Sequence, residues 1–327
     1  MLKWAGWVGR LRQAKSRVVK PRQIKPRLSV VVIVHKMPGQ AERTLISLGP
    51  AYQRGVDPAD YEVIVVENQS DQPLGEARAA RAFGGTNLRY LWRTETARTP
   101  VHAVNAGVDL ARGTHVAIVI DGARMLSPGV VRLTLLAHRA DPDAAVSAPG
   151  YHLGQELQQI AVNKGHDAAT DTALLAGISW PEDGYRLFDI AVTSGSCRRG
   201  VFRPHSESNY LALSVAKWQA VGGMDRRYDD HGGGKANLEF YKRLLESPGT
   251  ALYLLYGEGS FHQFHGGITT NTPEVARVPI MAAINAQDQD LRGGDVRPPG
   301  TVPILFGEPH PGIYRFLQAS LDHGKSV

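Results

Sequence analysis

The sequence predicts an α/β protein built on a doubly wound, mostly parallel sheet flanked by helices. Two observations carry this. The apolar runs 28–34 (LSVVVIV), 61–66 (YEVIVV) and 114–120 (THVAIVI) are continuous rather than alternating, as strands buried on both faces are. Between them lie segments of helical character, and strands alternating with helices give right-handed βαβ units.

The elements follow in order. After the first strand, 40–48 reads as a helix with Leu45 and Leu48 inward. After the second come the segment 75–82, a short apolar segment at 88–91 and a helix over 101–111, with Gly113 in the position that closes a helix C-terminus. Further on, 238–245 reads as a helix, 251–256 as a strand and 313–321 as a short amphipathic helix. Within 151–205, Trp180, Tyr185, Arg186 and Phe188 suit either a loop over a ligand or packing on the sheet edge. The expected organisation is a tail over 1–27, a body over 28–270 with halves at 28–150 and 151–270, and a Pro/Gly-rich extension over 271–327 that braces the domain or joins subunits.

Charge separates tail from body. Of 37 Lys and Arg, nine fall in residues 1–27 with no acid, so the other 300 residues hold 28 basic against 31 acidic groups, a net −3. A basic surface built into the fold, as nucleic-acid binding requires, is therefore not expected. Trp4, Trp7, Val8 and Leu11 recur at helical spacing among Lys3, Arg10 and Arg12, a pattern that suits either an anionic membrane surface or a plain basic terminus. Pro21 and Pro26 then break any helix. The single cysteine, Cys197, excludes an intrachain disulfide, and no apolar run is long enough to span a bilayer. The expected location is the cytoplasm, peripheral on the inner membrane face if the tail binds lipid.

In doubly wound sheets, ligands sit at the carboxyl ends of the strands. The residues there are His35-Lys36, Glu67-Asn68 and Asp121-Gly122. Two acids directly after buried strands suit a sugar hydroxyl, a base edge or a cation. Other motifs fail. No strand is followed by G-x-G-x-x-G. Gly232-Gly233-Gly234-Lys235-Ala236 lacks the first glycine and the final Ser/Thr of a phosphate loop, and no G-x-S-x-G elbow is present.

The ordered set of segments resembles the family 2 glycosyltransferases, which have the Rossmann-like GT-A fold. The matching residues are the first strand, Thr44-Leu45-Ile46-Ser47-Leu48, Val65-Val66-Glu67-Asn68-Gln69-Ser70-Asp71, Asn105-Ala106-Gly107 with Ala111-Arg112-Gly113, Val119-Ile120-Asp121-Gly122-Ala123 and Trp218 to Asp225 (WQAVGGMD). The segment after Tyr228-Asp229-Asp230-His231 resembles part of the polypeptide N-acetylgalactosaminyltransferase-like enzymes through Asn237-Leu238-Glu239.

This resemblance implies transfer of a sugar, hexosyl or N-acetylhexosaminyl, from a nucleotide diphosphate sugar to a hydroxyl acceptor in glycan or polysaccharide assembly. It implies a donor site at Val34, His35, Glu67, Asn68, Asn105, Asp121 and Arg124. It implies a divalent cation, manganese or magnesium, on Asp121 with His262 or His265, and an acceptor-side acid among Asp229, Asp230 and Glu239. On a strand the two imidazoles of Phe261-His262-Gln263-Phe264-His265 would face opposite ways; on a turn they would converge. The sequence departs from the family where Ala123 replaces the second acid of Asp-x-Asp. Arg124 follows at once, and a guanidinium makes strong contacts to phosphate. A non-catalytic, transferase-like binder of nucleotide or glycan is the alternative.

Overall fold

The structure, a computed structural model, describes residues 26–95 and 98–324. Its strands are β1 Leu28–Val34, β2 Tyr61–Asn68, β3 Leu88–Arg93, β4 His115–Val119, β5 Arg124–Leu126, β6 Ala145–Ser147, β7 Gly150–Leu153, β8 Ala191–Thr193, β9 Leu211–Ser214, β10 Leu252–Leu255, β11 Ser260–His262 and β12 Ile304–Phe306. The helices are α1 Pro38–Leu48, α2 Glu76–Phe83, α3 Val101–Asp109, α4 Val130–Ala140, α5 Gln158–Ala161, α6 Ala168–Ala176, α7 Val215–Ala220, α8 Ala236–Glu246, α9 Glu274–Arg292 and α10 Tyr314–Gly324.

The main sheet runs β12-β10-β6-β9-β4-β1-β2-β3, parallel except for β9, which pairs antiparallel with β4 and β6. This is the doubly wound, mostly parallel α/β class expected. All seven residues of β1 are buried, and they alternate between faces. Val30, Val32 and Val34 pack with Leu45 and Leu48 of α1; Val31 and Ile33 pack with Val104 of α3 and Phe240 of α8. The order β3-β2-β1-β4 reverses direction between β1 and β4, and a crevice opens where those two strands end.

A second sheet, β5-β11-β7-β8, crosses the expected division into halves, because β5 pairs with β11 and β11 with β7. Residues before and after 150 therefore share one sheet and one aromatic core of Tyr151, Phe188 and Phe261.

Three expectations are corrected. Gly113 does not cap α3, which ends at Asp109 with Leu110 still right-handed. Gly113 is needed for close backbone approach: a Cβ there would lie 2.9 Å from the carbonyls of Arg27 and His115. The tail boundary also shifts. Arg27 belongs to the body, its side chain donating to both oxygens of Asp60 at 3.0 and 2.7 Å and its carbonyl accepting from His115 N–H. The rest of the tail reading, residues 1–25, lies outside the described residues. Finally, the extension, expected to hold one short helix, also supplies a 19-residue helix and a strand. β12 pairs with β10 at the sheet edge, and α9 buries Ile284 and Asp288. Among the described residues no helix is long and apolar enough to cross a membrane.

Candidate active site

A cavity of about 690 Å³ opens at the β1/β4 crevice. β1 delivers Ile33, the chain leaving it delivers His35, β2 delivers Asn68, and the chain leaving β4 delivers Ile120 and Asp121. Lys36, also on the wall, has φ 55. That left-handed backbone is costly for a residue with a side chain, and such strain concentrates at working sites.

At the inner end, Asp121, His262 and His265 converge, with one ligating atom from each within 4.8 Å of the others. Oδ2 of Asp121 lies 3.0 Å from Nε2 of each imidazole, and the two Nε2 atoms are 3.1 Å apart. β11 ends at His262, and the turn that follows swings His265 back beside it, so the rings converge as a turn allows. Oδ1 of Asp121 accepts the backbone N–H of Ala123 at 2.9 Å.

The proton arrangement suits a cation. Oε1 of Gln158 can only accept, so His262 must spend Nδ1–H on it, at 2.6 Å. Gln158 is held in that orientation by donating to the His262 carbonyl and accepting from Asn271. Burial and the Arg124 cation push His262 down to about 4, so the ring is neutral and Nε2 is a lone pair. Nε2 of His265 can carry one proton. Three converging acceptor atoms thus share at most one hydrogen. Burial alone would raise Asp121, but the neighbouring His265 above all outweighs it and holds the carboxyl well below the usual carboxylate range. One carboxylate and two imidazoles form a donor set for a divalent ion, and the nitrogens favour manganese over magnesium.

Ala123 stands where the resemblance expects a second acid. Its side chain is fully buried in the core, so position 123 does not face the cavity, and the groups that converge with Asp121 are the two imidazoles. Arg124 is 5% exposed, and its Nε and Nη1 take no acceptor among the described residues. Asn68 Oδ1 is likewise buried without a donor among the described residues. Buried polar groups are normally satisfied, so unpaired ones on a cavity wall mark where a polar ligand docks.

The structure brings His35, Asn68, Asp121, Arg124, His262 and His265 to this cavity. It sends the other expected residues elsewhere. Val34 points into the core. Glu67, fully buried, accepts from Leu74 N–H at 2.8 Å, Gly75 N–H at 3.1 Å and the Tyr90 hydroxyl at 2.6 Å, fixing the approach to α2. Asn105 clamps the backbone of Met224 from both sides. Asp229 is exposed and accepts from Gln287, and Asp230 sits on the same turn off the cavity wall. Glu239 is buried in ion pairs with Arg243 and Arg292 at 2.8 and 3.1 Å. Its neighbours Asn237 and Leu238 do line the cavity. Gln158 and Glu207 were not singled out from the sequence; both lie where no motif is legible, and the polar run Ser206-Glu207-Ser208-Asn209 before β9 is the only hint.

A second recess, of about 780 Å³, lies between α3 and α7. Three of its charged groups are already paired, Asp225 with Arg227 and Arg292, and Arg243 with Glu239, and it holds no metal-ligating cluster among the described residues.

Compared with known proteins, the chain matches no family model and no curated sequence. It is similar in structure to the 1–349 portion of TarS from S. aureus in complex with UDP, at 13% identity and TM-score 0.48, over 81% of this chain and 72% of that one. Against the longer TarS structure it spans 44% of that chain. It is also similar to the mannosyltransferase PcManGT from Pyrobaculum calidifontis in complex with GDP-Man and Mn2+, at 15% identity and TM-score 0.49, over 91% of this chain and 70% of that one. Both scores are below 0.5, so a functional reading rests on the cavity and its donors.

Proposed function

We propose that this chain is a glycosyltransferase that moves a sugar from a nucleotide diphosphate sugar to a hydroxyl acceptor. The observation that carries this is the convergence of Asp121, His262 and His265 beside the unpaired guanidinium of Arg124, at the carboxyl ends of parallel strands. Breaking an anomeric bond places negative charge on the leaving diphosphate. A divalent cation held by Asp121, His262 and His265 would supply Lewis-acid neutralisation of that charge. Arg124 would donate Nε–H and Nη1–H to diphosphate oxygens, contacts that burial strengthens. Asn68 would accept an N–H of the nucleotide base, and His35 would line the ribose side. The acceptor reading is a glycan or other hydroxyl compound, with assembly of glycan or polysaccharide as the setting. Residues 1–25 would hold the chain on an anionic membrane surface at the cytoplasmic face.

The test is thermal shift with UDP and GDP, with and without MnCl2, on the parent chain and Asp121→Ala. Ligands that bind the native state raise the melting temperature by mass action. Stabilisation that needs manganese and vanishes in Asp121→Ala is the expected result; an unchanged shift in the variant removes Asp121 from the site. Nucleotide release from UDP- and GDP-sugars then separates a transferase from a non-catalytic binder.

A further inference from the structure

Transfer to a hydroxyl needs a group that takes the hydroxyl proton. The three acids expected for this task, Asp229, Asp230 and Glu239, do not line the cavity. Among the described residues the carboxylates that do are Glu95, Asp121 and Glu207. Asp121 is committed on both oxygens, to Ala123 N–H and to the imidazoles. Glu95 accepts from Arg93 at 3.2 Å and keeps 12% of its side-chain surface open. Glu207 differs from both. It is half-buried, and among the described residues its one hydrogen bond is a long 3.4 Å contact to Oε2 from Asn237, whose shorter bond, 3.0 Å, goes to the Ser208 carbonyl. Among the described residues it has no ion-pair partner. Its backbone is nevertheless fixed. Ser208 Oγ bonds to Ser147 Oγ at 2.7 Å and to the Tyr210 carbonyl at 2.5 Å, and Ser208 and Asn209 are buried. Glu207 and Asp121 also act on the same buried cation, Arg124.

We propose that Glu207 is the general base of the transfer. This role assumes the transfer reaction proposed for the cavity. The acceptor O–H proton passes to the Glu207 carboxylate, and the O–C1 bond forms. The bond from C1 to the diphosphate oxygen breaks, and its electron pair leaves with the diphosphate. This single displacement inverts the anomeric centre.

The test uses the full chain and Glu207→Gln with MnCl2. UDP-glucose, UDP-N-acetylglucosamine and GDP-mannose serve as donors, water as acceptor, and nucleotide release as the readout. General-base catalysis contributes about 10²- to 10⁴-fold. Glu207→Gln is expected to lose that factor in turnover while KM and the nucleotide-induced thermal shift stay near the parent values. Sodium azide, a nucleophile with no proton to lose, is expected to restore release. Undiminished turnover in the variant overturns the assignment, and so does a loss that azide does not restore. A lost thermal shift would make Glu207 a donor-binding residue instead. A parent chain that binds nucleotide yet releases none from any donor, with or without azide, overturns the transfer reading itself, and the base with it.

Discussion

Nε2 of His262 aims its lone pair at Oδ2 of Asp121 from 3.0 Å, across 141 positions of chain, because Gln158 takes the proton on the other ring nitrogen. Gln158 thus sets the tautomer of a residue it does not help to ligate. Such partners of metal-binding histidines are worth about 10- to 100-fold in metal affinity. Gln158→Met is expected to weaken Mn2+ binding by about that factor in a calorimetric titration. Equal affinity in the variant would show that the ring is oriented some other way.

Arg124 is a buried cation with two unpaired donor atoms, a poor arrangement for stability and a good one for phosphate. Arg124→Met, similar in length and uncharged, is expected to melt no lower than the parent chain. Its affinity for UDP or GDP should fall about 10- to 100-fold, the worth of one or two charge-assisted hydrogen bonds. A large drop in melting temperature would instead make Arg124 a structural ion.

Glu67 gives the opposite pattern. Its oxygens serve Leu74 N–H, Gly75 N–H and the Tyr90 hydroxyl. Glu67→Ala leaves three donors without an acceptor, one buried and two partly buried, at up to about 1–3 kcal/mol each before relaxation. The melting temperature should fall by several degrees, while the shift induced by nucleotide and manganese is kept. Loss of that shift in a folded variant would return Glu67 to the donor site.

His138 is 5% exposed and stacks on His115 with ring centroids 4.0 Å apart. Burial, then the neighbouring His115, pushes His138 down to about 3 from an ordinary 6.5. The unfolded chain therefore binds a proton that the folded chain refuses. Stability is complete above about pH 6.5 and falls as pH drops toward 3, by up to about 1.4 kcal/mol per pH unit inside that window. Urea unfolding at pH 7 and pH 5 checks this. His138→Phe should flatten part of the dependence, and an unchanged slope would clear His138.

The basic tail predicts salt-sensitive lipid binding. Each cation near an anionic surface contributes about 1 kcal/mol, and the tryptophans add a part that salt does not screen. The intact chain should co-sediment with phosphatidylserine vesicles, and high salt should weaken this only partly. Removing residues 1–25 should abolish it and spare nucleotide binding, since Arg27 stays with Asp60. Equal vesicle binding after truncation would refute the tail's role.

The strands were legible because β1, β2 and β4 are continuous apolar runs, and a switch in strand order places any ligand at their ends. Which residue of a strand end faces the ligand was not legible. Glu67 and Asn68 are neighbours on one strand and must point to opposite faces, so at most one can reach the cavity. Val34 lies opposite Glu67 in the register, and both turn away while Ile33 and Asn68 turn in. A sequence without its register cannot make that choice. Asp121, His262 and His265 were legible by residue type, yet their meeting depends on β11 pairing with β5. The helix Glu274–Arg292 was hidden because its segment was read through the composition of a longer region. The prolines and glycines that colour that region lie mostly after it, from Gly293 onward.

That helix decides where the chain can be cut. Asp288, fully buried on α9, accepts from the Tyr228 hydroxyl at 2.7 Å and pairs with Lys235 at 3.1 Å, on either side of the three glycines whose left-handed turn forms part of the cavity wall. Asn271 fastens the His265 turn by accepting from His265 and Gly267 N–H, each at 3.1 Å. Cleavage after residue 270 would strand Lys235 without its counter-charge, loosen the turn that carries His265, and bare the β10 edge that β12 covers. An uncovered strand edge invites pairing between molecules. A protease acting there would therefore yield a fragment prone to aggregate, not a trimmed version of the same fold.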